Sequence, residues 1–236
     1  STMTISNKCL SFDAFALDPV SHSYPLHETE KDVEIAYQID SLCDELKGLL
    51  YLKKLKFPSY ELDTPEKQEN ALAGRMRAAT ALAKWNVMAY LRSSRAALLE
   101  HLQGSANAAE YYKIDNLDKD KTGNIITKLQ KRHLPITNLM IDLPAWLSEE
   151  KAHQEAIRKE VAIYKKIADL SKMISDQREK ARASLLIKLV GEHQNVIAFD
   201  SKIISLFLLE QQLKELKPDF ETMLVTGKTN KKPILE

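Results

Sequence analysis

The sequence predicts a mainly α fold: an antiparallel helical bundle followed by a short βαβ unit. Three observations predict it. Glycine is scarce, with six in 236 residues, where average usage gives roughly 16. Sheets with many tight turns need the positive-φ positions that glycine supplies. Long stretches repeat apolar residues at steps of three and four, the helical period. Two short apolar runs near the C-terminal end, 195–200 and 222–226, carry β-branched residues and enclose one helical pattern, which is the βαβ order.

Composition narrows the class further. With 44% hydrophobic and 28% charged residues, a buried core is within reach. A net charge of +1 excludes a histone-like or strongly acidic chain but leaves room for a local patch. Cys9 and Cys43 are too few for a disulfide framework and read as intracellular thiols. No uninterrupted apolar stretch reaches the ~18 residues of a membrane span, so the expectation is a cytoplasmic protein with no membrane partner. Ser1 and Thr2 ahead of Met3 look like an added remnant, and the chain is expected to be the middle of a longer one.

Residues 1–27 hold Asp18-Pro19 and Tyr24-Pro25 with little periodicity, and read as an irregular leader. Residues 28–190 form the helical domain. A helix from Glu28 to Pro58 places Ile35, Ile39, Leu42, Leu46 and Leu49 on one face. Its first part, 28–46, holds seven acids against Lys31, and 47–56 holds four lysines, an order that suits the helix dipole. Thr64-Pro65-Glu66 starts a second helix, expected to run to about Leu102 and to stop at Gly104. Its inward positions are Leu72, Met76, Ala79, Ala83, Val87, Leu91, Leu98 and Leu102.

Residues 104–147 carry Leu134-Pro135, Leu143-Pro144 and a turn at 119–124, so short helices and loops are expected. Ser148-Glu149-Glu150 opens a further helix, and Ser175-Asp176 caps one ending near Val190. Residues 191–236 then hold the first strand, a helix over 203–216, and the second strand.

Three kinds of chemistry are weighed. Gly227-Lys228-Thr229 after a strand matches the end of a P-loop, but Thr222 stands where its first glycine belongs and Met223, Leu224 and Val225 fill the loop. Of the histidines at 22, 27, 101, 133, 153 and 193, none has a second ligand at zinc-site spacing. Charge is more telling. Residues 71–103 hold Arg75, Arg77, Lys84, Arg92 and Arg95 against Glu100 alone, and 227–232 holds Lys228, Lys231 and Lys232 without an acid. Such a helix, with Arg92 and Arg95, and such a loop can hold phosphates.

The later segments resemble a specific family. Asp176-Gln177-Arg178, a helix through Ser184–Leu189, Asn195-Val196-Ile197-Ala198-Phe199-Asp200-Ser201, a helix, and Leu224-Val225-Thr226-Gly227 are similar to the entry into the second RecA-like lobe of Swi/Snf-type superfamily-two helicases. Leu91-Arg92-Ser93-Ser94-Arg95-Ala96-Ala97 resembles the L-x-S-S-x-x-A helix between the lobes in a bacterial branch. That branch has Lys-Arg before the Leu and Glu after it, where Ala89-Tyr90 and Arg92 stand here. The resemblance implies a partial, truncated second lobe over 191–236. It implies duplex DNA as partner, gripped through its backbone by Ser201, Lys202, Lys228 and Thr229. It also implies an ATPase lobe of the same protein, with ATP and magnesium in the intact parent. The P-loop and arginine-finger motifs lie outside these residues, so this chain alone is expected to hold no cofactor and not to hydrolyse ATP. Against this stand a non-enzymatic helical scaffold, in which Ser201 is a helix N-cap and the lysines are solvated, and a small-molecule enzyme with a cleft between the helices and the βαβ unit.

Overall fold

The computed structural model describes residues 2–6, 21–25, 28–115, 117, 124–193 and 196–226. They are mainly helical, with nine α-helices among them. The leader is more regular than expected: β1 (Thr2–Ser6) pairs antiparallel with β2 (Ser21–Pro25), Thr4 opposite Ser23. Strand propensity there sits in threonines, Ile5 and Tyr24, too few to show as a periodic signal.

α1 (Glu30–Asp44) begins at Thr29, whose hydroxyl accepts the Asp32 N–H. It buries Ile35, Ile39 and Cys43. It stops well before Pro58, because Gly48 turns the chain with φ +70°. The lysine-rich stretch becomes a 3-10 turn (Leu49–Tyr51), β3 (Lys54–Leu55) and a second 3-10 turn (Ser59–Glu61).

What holds that turn comes from 111 residues away. The Glu160 carboxylate, 2% exposed, accepts the N–H of Lys47 at 3.1 Å and of Leu49 at 3.2 Å. Burial pushes Glu160 up to about 7, against the pull of these N–H groups. Its folded value lies above its ordinary 4.5, so folding takes up a proton between those limits. That contribution to stability is full below pH ~4.5, lost as pH rises to ~7, and flat above. The unfolding free energy of the native chain minus that of Glu160→Gln should therefore fall by about 3 kcal/mol over this window. Urea titrations at a series of pH values check it; a difference independent of pH would refute the assignment.

α2 (Pro65–Ser93) opens as expected, with Thr64 accepting the Lys67 N–H and Pro65 at the first helical position. It does not run to Leu102. The chain breaks at Ser94, and α3 (Arg95–Gln103) follows, ending at Gly104 with φ +95°. Short elements come next: α4 (Ser105–Tyr112), α5 (Ile125–Gln130), β4 (Ile136–Thr137) and α6 (Ala145–Ser148). β4 pairs in parallel with β3, Lys54 opposite Ile136. Asn138 extends the pairing by bonding both the N–H and C=O of Phe57.

α7 (Glu150–Met173) packs on α1, α3 and α5, and α8 (Gln177–Glu192) leads to α9 (Ile203–Leu216). The main core gathers Ile39, Val87, Leu98, Leu99, Leu102, Tyr164 and Ile167. Ile204 and Leu208 of α9 belong to it, so α9 shares the core of the helices before it.

The expected βαβ strands are not formed among the described residues: 196–200 and 221–226 are non-helical but carry no ladder. A strand exists only with a hydrogen-bonded neighbour, and neither segment has one. Val196 and Ala198 still pack on Ala183, Leu186 and Leu213. The alternate residues Ile197 and Phe199, with Met223 and Val225, are exposed.

Candidate functional site at the break between α2 and α3

A continuous helix through residues 90–97 would run its N–H groups at 95, 96 and 97 to the carbonyls of 91, 92 and 93. The break at Ser94 leaves those groups to be satisfied elsewhere. α8 supplies the replacements. Arg178 Nη2 donates to Leu91 O at 2.7 Å, Arg182 Nη2 to Arg92 O at 2.8 Å, and Arg182 Nη1 to Ser93 O. The Arg95 N–H donates to Glu179 Oε1 at 3.3 Å, and the Ala97 N–H to Ser94 Oγ at 3.0 Å. Two cations at the C-terminal carbonyls of α2 also face the negative end of its dipole.

The segment before α9 closes the other side. Ser205 Oγ lies 2.7 Å from both Ser93 Oγ and Ser94 Oγ. Ser93 donates to Asp200 Oδ1 at 2.7 Å, which also accepts the Lys202 N–H. Lys202, not Ser201, stands at the N-cap position of α9, which has no side-chain cap; Asp200 holds the turn just before it, and Ser201 is exposed. A 220 Å³ pit lies here, lined by Ser94, Glu179, Arg182, Phe199, Asp200 and Ser205 among others. Burial and the neighbouring Arg178 lower the Arg182 pKa.

The structure thus brings together three segments far apart in sequence: Leu91–Ala97, Asp176–Arg178 and Val196–Ser201. Arg182, Glu179 and Ser205, which complete the joint, were not singled out from sequence. Arg178 and Arg182 are four residues apart, hence on one helix face, a spacing that by itself does not point to a break elsewhere.

The expected DNA-binding residues separate into groups. Arg92 and Ser201 are exposed. Lys202 is half-buried, its ammonium 4.0 Å from the centre of the Tyr90 ring, which stacks on His101 at 4.2 Å. Arg95 turns inward: it donates to Ile174 O at 3.1 Å, sits 3.6 Å from Glu179 and covers Tyr112. Its charge is engaged inside the fold, unlike that of Arg92. Lys228 and Thr229, with the whole 227–232 loop, lie outside the described residues.

Other chemistry finds little support. Among the described residues no three His, Cys, Asp or Glu side chains gather as a metal site. Burial, with Asp40 nearby, pushes the Cys43 thiol up to about 12, far from a reactive thiolate. Among the described residues no helix is long and apolar enough to cross a membrane. No family model, curated protein or solved structure matches the chain.

Proposed function

We propose that the chain is the inter-lobe helical region and the opening of the second RecA-like lobe of a Swi/Snf-type DNA translocase, contributing duplex contacts and not hydrolysing ATP by itself. The observation that carries this is the convergence of three of the segments that resemble the family at one joint, through Arg178, Ser93 and Asp200. The extended segments flanking α9 support it. Each has apolar residues exposed on alternate positions, as strands do before sheet neighbours cover them. In this reading the helices before α8 form an antiparallel bundle, and 196–226 is the first βαβ unit of the lobe.

Of the expected DNA contacts among the described residues, Arg92 and Ser201 are exposed, and Lys202, half-buried with its ammonium over Tyr90, is the lysine at the start of α9. Lys202→Ala should weaken binding of a labelled duplex several-fold and lower the slope of log K against log salt by about 1, uniformly across sequences. Fluorescence anisotropy at several salt concentrations measures it. The reading as a whole is decided by the codons flanking this segment in its gene. A P-loop and an acidic Asp-Glu motif upstream, with a Q-x-x-x-R-x-x-R-type motif downstream, are expected. Their absence would leave a helical scaffold.

A further inference from the structure

Two stretches of the chain carry cations and no acid. Residues 46–60 hold Lys47, Lys53, Lys54 and Lys56; residues 124–141 hold Lys128, Lys131 and Arg132, with His133 beside them. Sequence keeps them apart, and the fold makes them neighbours. β3 and β4 pair, Lys54 opposite Ile136. Arg132 Nη2 donates to Leu50 O at 2.9 Å across 82 residues, and α5 packs on the turn Leu49–Tyr51. Leu55 and Phe57 point into the core while Lys54 and Lys56 alternate outward, about 7 Å apart on one face of an extended segment.

The patch is not neutralised by its surroundings. Lys53, Lys54, Lys56, Lys128 and Lys131 are exposed, and among the described residues none of them forms a salt bridge. Elsewhere Lys67, Lys84, Lys180 and Lys214 each sit on a carboxylate. The nearest buried acid, Glu160, spends its oxygens on the N–H groups of Lys47 and Leu49. Glu61 and Asp142 stand at the ends of these stretches in sequence, and Glu150 lies beside Arg132, its Oε1 and Arg132 O both accepting from Gln154 Nε2, so the exposed lysines carry the free charge of the patch. Crowding like charges costs stability in the free protein, and a polyanion removes that cost.

We propose that the β3–β4 edge and α5 form a second surface for the nucleic-acid backbone, with duplex DNA as ligand, separate from the loops around α9. The choice of DNA among polyanions rests on the translocase reading. The architecture favours it over an anionic membrane. Interfacial binding needs a broad apolar helix face between the cations, and this patch is a strand edge with a six-residue helix. The surface also runs toward Lys202: α5 packs on α3, which carries His101, and the Lys202 ammonium lies over Tyr90, which stacks on that ring. A duplex carries one charge per ~1.7 Å of axis, so cations spread over this edge meet several phosphates at once.

The test uses the full chain and a fluorescein-labelled duplex between about 50 and 200 mM KCl. The triple variant Lys54→Ala/Lys56→Ala/Lys131→Ala should bind at least ~10-fold more weakly at low salt, with a salt slope lower by about 2–3. Its circular dichroism should match the native chain and its melting temperature should be no lower, and the corresponding triple arginine variant should bind like the native chain. The proposal is overturned if the alanine triple binds as tightly as the native chain, or if the native chain binds phosphatidylserine vesicles and not the duplex. Loss of binding in Lys202→Ala with none in the triple would sink the patch and keep the translocase reading. A weakened triple in a gene without motor motifs would keep DNA binding at the patch and sink that reading.

Discussion

Arg178→Ala is expected to lower the unfolding free energy by about 3–5 kcal/mol, with a fall in melting temperature of ~10 °C for a chain of this size. The guanidinium, 8% exposed, does three things at once. It supplies the donor that Leu91 O lost when the helix broke, it meets Glu28 at 3.3 Å, and it lies 3.8 Å from Glu179, whose side chain is 4% exposed. Truncation removes two charge-assisted bonds, each worth about 1.5–3 kcal/mol, and leaves Leu91 O without its donor, while Glu179 keeps the Arg95 guanidinium and N–H. Arg178→Lys separates the contributions. A single ammonium keeps the charge but lacks the fork that reaches Leu91 O and Glu28 together, so about half of the loss should return. Urea unfolding measures both variants, and an alanine variant within 1 kcal/mol of the native chain would show that the joint is held by other contacts.

The same joint shows what sequence could and could not reveal. α9 was legible at both ends, because its signals are local: an apolar face and Pro218 just beyond its last turn. Thr64-Pro65 and Gly104 were legible for the same reason. The break at Ser93-Ser94 has a local signal, since serine is a favoured N-cap and Ser94 accepts the Ala97 N–H, but the Leu and Ala residues on either side mask it and the other partners come from α8, 84 residues away in the case of Arg95 and Glu179. The inward turn of Arg95 was hidden with it; from spacing alone it is as basic and as available as Arg92.

The apolar runs at 195–200 and 222–226 read as strands, the first as a buried one, but among the described residues they pair with nothing, and Ile197, Phe199, Met223 and Val225 are exposed. Propensity describes a chain's fitness for a strand, whereas a ladder needs a second chain segment beside it. The cationic edge failed to show for a related reason. One half, the four lysines of 47–56, was visible as a charge run; the other, Lys128, Lys131 and Arg132, was not singled out, and only the parallel pairing of β3 with β4 makes them one surface.

Gly48→Ala is expected to cost about 3–4 kcal/mol, from two sources that cannot relax together. Gly48 has φ +70° and ψ +34°, a region that costs an L-residue about 1–2 kcal/mol. A Cβ there would stand 2.3 Å from Ala79 O and 2.5 Å from Ala79 C. Those atoms are backbone in the middle of α2, so no side-chain rotation makes room, and overpacking of this kind costs about 1–3 kcal/mol more. Moving the loop outward instead would pull the Lys47 and Leu49 N–H groups off Glu160 and leave a buried carboxylate with fewer donors. Gly74→Ala in α2 gives the opposite sign: nothing lies within 4 Å of its Cβ position, and alanine should stabilise the helix by about 0.5–1 kcal/mol. Because Gly48 and Glu160 hold one loop, the double variant Gly48→Ala/Glu160→Gln should lose less than the sum of its parts, by about 1 kcal/mol or more. Strict additivity in a double-mutant cycle would separate the close approach at Ala79 from the carboxylate and refute the shared role.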